Sequence, residues 1–161
     1  MMPTPRRTRR GLTLTEVLIA VAIAAIVFAL AVPKIASARD SASKRAARQE
    51  LTAAFASARA AALQKGRLST LTLTSTSAKV QVQSGLAGNT ITVWGPVAFN
   101  KTLGASIEAL SSAPTTINFN ARGLLTPTPA STLKYAIKVG SVRDTVCISP
   151  AGIILPKGCS L

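Results

Sequence analysis

No histidine occurs anywhere in the 161 residues. That absence removes the Ser–His and Cys–His pairs on which most nucleophilic catalysis depends. Carboxylates are nearly as scarce, with five Asp+Glu against nineteen Lys+Arg and a formal net charge of +14. One of the five, Glu16, lies inside an apolar run. The other four, Asp40, Glu50, Glu108 and Asp144, are scattered among basic or small polar neighbours, and no two are spaced for acid–base work. Two cysteines without a histidine leave a zinc site short of ligands, and no glycine-rich loop suited to phosphate is present. The chain therefore reads as a non-enzyme without cofactor or metal. Aromatic residues make up 4% while hydrophobic residues make up 48%, so the apolar content is aliphatic and suits a membrane helix better than an aromatic core.

That aliphatic content is concentrated at the start. From Leu12 to Val32 the residues are apolar except for Thr13, Thr15 and Glu16. As a helix with a rise of ~1.5 Å per residue, the stretch covers roughly 30 Å, the hydrocarbon thickness of a bilayer. Arg6, Arg7, Arg9 and Arg10 precede it. Two ordinary readings fit such a basic flank and apolar run. One is a cleaved secretory signal, with Ala29 and Ala31 as the small residues of its cleavage site, and the other is a signal anchor. Lys34, Arg39, Lys44, Arg45 and Arg48 make the far flank basic as well, so charge does not orient the span.

A third reading comes from resemblance. Residues 10–18, Arg-Gly-Leu-Thr-Leu-Thr-Glu-Val-Leu, resemble the processing site of type IV prepilins and type II secretion pseudopilins. The resemblance implies cleavage by a prepilin peptidase between Gly11 and Leu12 on the cytoplasmic side, and methylation of the new Leu12 amine. Leu12 stands where the family usually has Phe. Glu16 becomes the fifth residue of the processed chain, and its implied role is to neutralise the amino terminus of a neighbouring subunit during assembly. A carboxylate at membrane depth is expensive, on the order of a few kcal/mol, which marks it as functional; the plainer alternative is a group at headgroup depth. Pro33 matches a proline many pilins carry and is expected to kink the helix rather than end it. A signal-anchored β-domain with an unrelated ligand is the reading that remains if cleavage after Gly11 does not occur.

The pattern then divides the chain into a leader (1–11), a transmembrane helix (12–33), an amphipathic continuation (34–66) and a β-rich extracytoplasmic domain (67–161). Ala47, Leu51, Ala54, Phe55, Ala58, Ala61 and Ala62 form one apolar stripe at helical spacing. Arg45, Arg48 and Arg59 flank it as a solvated edge. The helical pattern runs to about Gln64, and Gly66 is its expected stop. Alternating segments follow at 68–75, 79–83, 90–94, 116–119, 134–139, 145–149 and 152–155, with Ser77-Ala78 and Gly95-Pro96 among the expected turns and 127–131 an exposed loop. The expected class is α+β, a long N-terminal helix packed on an antiparallel sheet, as in type IV pilins.

Ile117-Asn-Phe-Asn-Ala-Arg-Gly123 and Val146-Cys-Ile-Ser with Gly152 also resemble the C-terminal pattern of the H-type minor pseudopilins, the GspH/FimT family. The implied partners are other pilin or pseudopilin subunits, the prepilin peptidase, an inner-membrane assembly platform and membrane lipid. The implied location is the inner membrane, with the domain in the periplasm until it enters a filament. Cys147 and Cys159 read either as one disulfide across a hairpin turning at Ala151-Gly152, worth on the order of 2–3 kcal/mol, or as two buried thiols.

The charge leaves a second function open, a DNA-binding minor pilin of an uptake machine. Some members of this family are implicated in DNA uptake through arginines after the last hairpin glycine. Here that position reads Gly152-Ile-Ile-Leu, and the tail offers only Lys157. DNA contacts would have to come from Arg122, Lys134, Lys138 and Arg143, whose alternative reading is a solvated surface that keeps the domain soluble.

Overall fold

The computed structural model describes residues 13–85, 88–111, 113–155 and 159, and the chain falls into two compact units, Met1–Ala38 and Arg39–Leu161. One helix, α1 (Leu14–Lys65), belongs to both. Its first part exposes large aliphatic and aromatic side chains on every side, from Leu14 at 77% to Phe28 at 68%. The stretch has a mean hydropathy of 2.6 and none of it is buried. A helix apolar all round needs lipid or protein about it. α1 passes through Pro33 without ending, although the ring removes one backbone hydrogen bond.

In the second unit α1 becomes one-sided. Its buried residues are Ala47, Leu51, Ala54, Phe55, Ala58, Ala61 and Ala62, the stripe expected from their spacing. The helix ends one residue later than expected, at Lys65, and Arg67 N–H donates to the Ala62 carbonyl at 3.3 Å. With Gly66 following the last helical residue, that bond is the Schellman closure.

Eight strands follow: β1 (Ser69–Leu73), β2 (Ser77–Gln83), β3 (Thr90–Ala98), β4 (Ala105–Leu110), β5 (Thr116–Phe119), β6 (Leu125–Thr126), β7 (Leu133–Val139) and β8 (Val142–Ile148), with a short helix α2 (Phe99–Leu103) before β4. They form two antiparallel sheets in the orders β3-β2-β1-β5-β6 and β4-β7-β8, rather than one. β1, β2 and β5 alternate as half-buried strands should, while the edge strand β3 is exposed along most of its length. Leu71 and Leu73, Val80 and Val82, Ile117 and Phe119, Tyr135 and Ile137, and Val146 and Ile148 turn inward, and most of them form one core with the α1 stripe.

Several local readings are corrected. The turn between β1 and β2 lies at 74–76, where Thr74 binds the Ser77 carbonyl, hydroxyl and N–H, so Ser77 and Ala78 open β2. Gly95-Pro96 is not a turn but part of β3, where the pairing with β2 is bulged. Proline is tolerated there because β3 is a sheet edge. Glycine is required because a Cβ at position 95 would meet the Ala78 carbonyl oxygen at 2.6 Å. Residues 152–155 make a single bridge, Ile148 to Ile154, instead of a strand. β4 was not foreseen: Ala-Ser-Ile-Glu-Ala-Leu has weak strand preference, and its partner β7 is distant in sequence.

The expected arginine edge also differs. Arg45 is exposed, but Arg48 pairs with Asp144 at 3.2 Å. Arg59 is half-buried, and its Nε is buried without a partner among the described residues. Tyr135 is fully buried, packs on Phe55 with ring centroids 5.6 Å apart, and donates its hydroxyl to the Pro114 carbonyl at 2.7 Å. Burial pushes its pKa up.

Because Ala47, Ala54, Ala58 and Ala62 have no exposed surface, the helix lies close on the sheets and has no room for longer side chains. Ala58→Leu is expected to destabilise the outer unit by about 1–3 kcal/mol, while Ala56→Leu on the exposed face should change it by less than about 0.5 kcal/mol. Chemical denaturation followed by tyrosine and tryptophan fluorescence measures both.

Candidate functional site

The residues that carry the prepilin resemblance stand at the start of α1. Gly11 and Leu12 lie outside the described residues. Thr13 immediately precedes the helix, and its Oγ1 accepts from the Glu16 N–H at 3.3 Å, while Val17 N–H donates to the Thr13 carbonyl at 3.2 Å. Thr13-x-x-Glu16 is thus the sequence of a capping box, with Glu16 at the third helical position. A carboxylate in the first turn also opposes the positive end of the helix dipole. Glu16 is exposed and so remains available to a second chain while its own backbone is held. Its local role was legible in Thr13-Leu-Thr-Glu16 but is masked by the prominence of the apolar run.

The four cations singled out for anion binding do not form one cluster. Lys134 and Lys138 on β7 and Arg143 on β8 share the outer face of the small sheet, where Lys138 and Arg143 stand directly opposite one another. Glu108 on β4 occupies the same face, opposite Ala136 and between the two lysines. Arg122 belongs to the other sheet, in the tight turn between β5 and β6, where its N–H donates to Asn120 Oδ1 at 2.9 Å. Asp144 points the opposite way from Arg143, toward Arg48. Lys157 lies outside the described residues.

The two C-terminal motif segments, thirty residues apart in sequence, come together. A Cβ on Gly152 would lie 2.9 Å from Phe119 Cε1, 3.5 Å from Leu125 Cγ and 3.7 Å from the Gly123 carbonyl oxygen. The first segment supplies a buried ring at the end of β5, and the second supplies the residue without a side chain that lies on it. Gly152 has φ +76° and donates its N–H to the Ser149 carbonyl at 2.8 Å, closing the hairpin turn. Beyond the turn Leu155 N–H donates to the Cys147 carbonyl at 2.9 Å. Cys147 is fully buried and is joined to Cys159 by a disulfide, with Cα atoms 5.3 Å apart. The disulfide reading of the two cysteines is therefore the one realised.

Among the described residues no three His, Cys, Asp or Glu side chains come together as a metal site. The described residues present a helix whose first part is apolar but for one carboxylate in its first turn, and a small domain that carries a disulfide. This is the architecture of a pilin-like, membrane-anchored subunit.

Comparison with known proteins agrees. Residues 6–32 match the prokaryotic N-terminal methylation motif. Residues 47–152, more than half of the chain, match the family described as type II transport protein GspH. The chain belongs to the GspH family and is a minor pilin or pseudopilin. No curated protein matches it. Its fold is similar to that of the type IV minor pilin FimU of Pseudomonas aeruginosa strain PAO1, in a crystal structure in space group P21. The TM-score there is 0.51 at 19% identity, covering 73% of this chain and 95% of that one. A second crystal form of FimU, in space group P65, matches with a TM-score of 0.49 at 19% identity over 72% of this chain and 99% of that one.

Gly152→Ala combines an unfavourable φ with a clash on a buried ring, so a loss of about 2 kcal/mol or more is expected in urea denaturation. Reducing the Cys147–Cys159 bond should lower stability by about 2–3 kcal/mol in the same assay. An unchanged midpoint in reductant would show that the hairpin bonds alone hold the C-terminal segment.

Proposed function

We propose that this minor subunit enters a type II secretion pseudopilus or a type IV pilus through its N-terminal helix, in a priming or tip role. The observation that carries the reading is a single carboxylate, Glu16, in the first turn of α1 and in the otherwise apolar part of it that reaches Val32, within the stretch that matches the methylation motif. Residues 1–11 are a leader removed by a prepilin peptidase between Gly11 and Leu12, and the exposed amine of Leu12 is methylated. Residues 12–33 then span the inner membrane, 34–66 continue the helix, and 67–161 form the extracytoplasmic domain. The N-terminus is cytoplasmic because the peptidase cuts there; the basic residues on both flanks do not decide it.

Cleavage couples to assembly through charge. Before it, Glu16 has no free amine to meet. After it, the Leu12 ammonium of one subunit and Glu16 of the next attract one another where water is scarce. Two unit charges 4 Å apart interact by roughly 4 kcal/mol at an effective dielectric of 20, enough to set the register of one apolar helix on another. Pro33, inside α1, is the proposed kink of the helix, where its ring removes a backbone hydrogen bond. The inner-membrane assembly platform and neighbouring pilin-like subunits are the partners this scheme requires. The function is structural, with no reaction catalysed by the chain.

The test separates processing from assembly. Gly11→Val should leave the chain uncleaved, as read by intact mass. Glu16→Ala should be cleaved normally yet recovered in sheared filaments at about one tenth of the wild-type level or less. Wild-type recovery of Glu16→Ala would overturn the assembly role of the carboxylate.

A further inference from the structure

The end of the outer unit that follows the span in the chain carries a polar cavity of about 360 Å³, bounded by α1, α2 and the β7–β8 turn. Arg39 of α1 and Lys101 of α2 supply its positive charge, Asp40 its negative charge, and Ser43 and Asn100 neutral hydrogen-bonding groups. Arg39 and Lys101 are exposed and form no ion pair among the described residues. Asp40 lies beside the β7–β8 turn, where a Cβ on Gly140 would be 3.0 Å from its Oδ2. The cavity therefore sets two cations, Arg39 and Lys101, beside one carboxylate, Asp40.

Position in the chain narrows the ligand. α1 is unbroken from the apolar run to Arg39. Arg39 is six residues beyond Pro33, roughly 9 Å of helix. Helical side chains lean toward the N-terminus of their helix, and long cationic ones extend their charge further along an apolar surface. Arg39 thus follows the apolar run by a short length of the same helix, with a cationic side chain long enough to reach a phosphodiester. The site offers cations for a phosphodiester, with Asp40, Asn100 and Ser43 as acceptors for hydroxyl groups beside it.

We propose that this cavity holds the headgroup of an anionic phospholipid with a hydroxylated headgroup, phosphatidylglycerol in chemistry, and so seats the domain on the membrane before assembly. Arg39 and Lys101 contact the phosphodiester, and Asp40 accepts from the glycerol hydroxyls. The inference rests on the membrane-anchored reading of α1. Filament entry would require this headgroup to be released.

The experiment uses the full chain in nanodiscs of phosphatidylcholine alone or with phosphatidylglycerol added. Amine acetylation rates at Lys101 and Lys65 are read by mass spectrometry. Lys65 is exposed and serves as control, being twenty-six residues from Arg39 along α1 and so roughly 39 Å away. Lys101 should react about fivefold more slowly in the anionic discs, with Lys65 unchanged. Arg39→Gln should remove most of that protection while the chain stays inserted. Equal Lys101 rates in both discs overturn the proposal, as does equal slowing at Lys65, which would indicate diffuse surface charge. Equal protection by soluble glycerophosphoglycerol added to phosphatidylcholine discs overturns the lipid assignment in favour of a free phosphodiester. A chain that washes off the discs in carbonate overturns the anchor itself, and the inference with it.

Discussion

A strip of alanines on α1 sets the geometry of the whole outer unit. Ala47, Ala54, Ala58 and Ala62 are completely buried, with Leu51 and Phe55 as the only large side chains among them. Alanine costs no side-chain entropy in a helix and lets the backbone of its partner come close. Both sheets can then converge on one helix and share a single core with it. The same segment has to leave the membrane as a helix, and an alanine-rich sequence does so without relying on tertiary contacts for its propensity.

The scarcity of aromatic residues acquires a different meaning in three dimensions. A 4% aromatic content pointed to a membrane helix rather than to a core rich in rings. Instead Phe55, Phe99, Phe119 and Tyr135 are all fully buried, each at a junction between elements. Phe55 and Tyr135 link the helix to the small sheet, and Tyr135 also secures the strand approach at Pro114. Phe119 receives Gly152 of the last hairpin. Composition averages over the chain, whereas a thin core between a helix and two sheets needs only a few large side chains, placed where the elements meet.

That contrast explains what was legible in advance. The helical stripe was legible because its period is local and every residue in it obeys one rule; Gly66 followed from the same grammar. β5 was legible because Thr-Ile-Asn-Phe alternates between clear turn signals. β4 was not, because Glu108 and two alanines weaken its alternation, and the strand it pairs with, β7, is distant in sequence. The continuation of β3 through Pro96 depended on its being an edge strand, a property of sheet order. Arg48 read as solvated because its partner Asp144 lies far along the chain. At the functional end, Glu16 was legible from chemistry, as a carboxylate in an apolar run. The dispersal of Arg122 away from Lys134, Lys138 and Arg143 was not, since it follows from two sheets where one was expected.

The division into two sheets bears on what so basic a surface can do. Of the carboxylates, Asp144 is engaged with Arg48, Asp40 lies against the Gly140 turn, and Glu16 sits in the first turn of α1. Asp144 and Asp40 thus lie against other elements, while the positive excess is spread over α1 and two separate sheets. Glu108 further interrupts the one face on which three cations gather. Organised recognition of a long polyanion needs several cations in register with successive phosphates, which this spacing does not offer. A single phosphodiester needs only two or three converging groups, and Arg39 with Lys101 meets that demand on the cavity nearest in sequence to the membrane span. The distribution of charge thus favours contact with single phosphodiesters over contact with a long polyanion, as the proposed headgroup site requires.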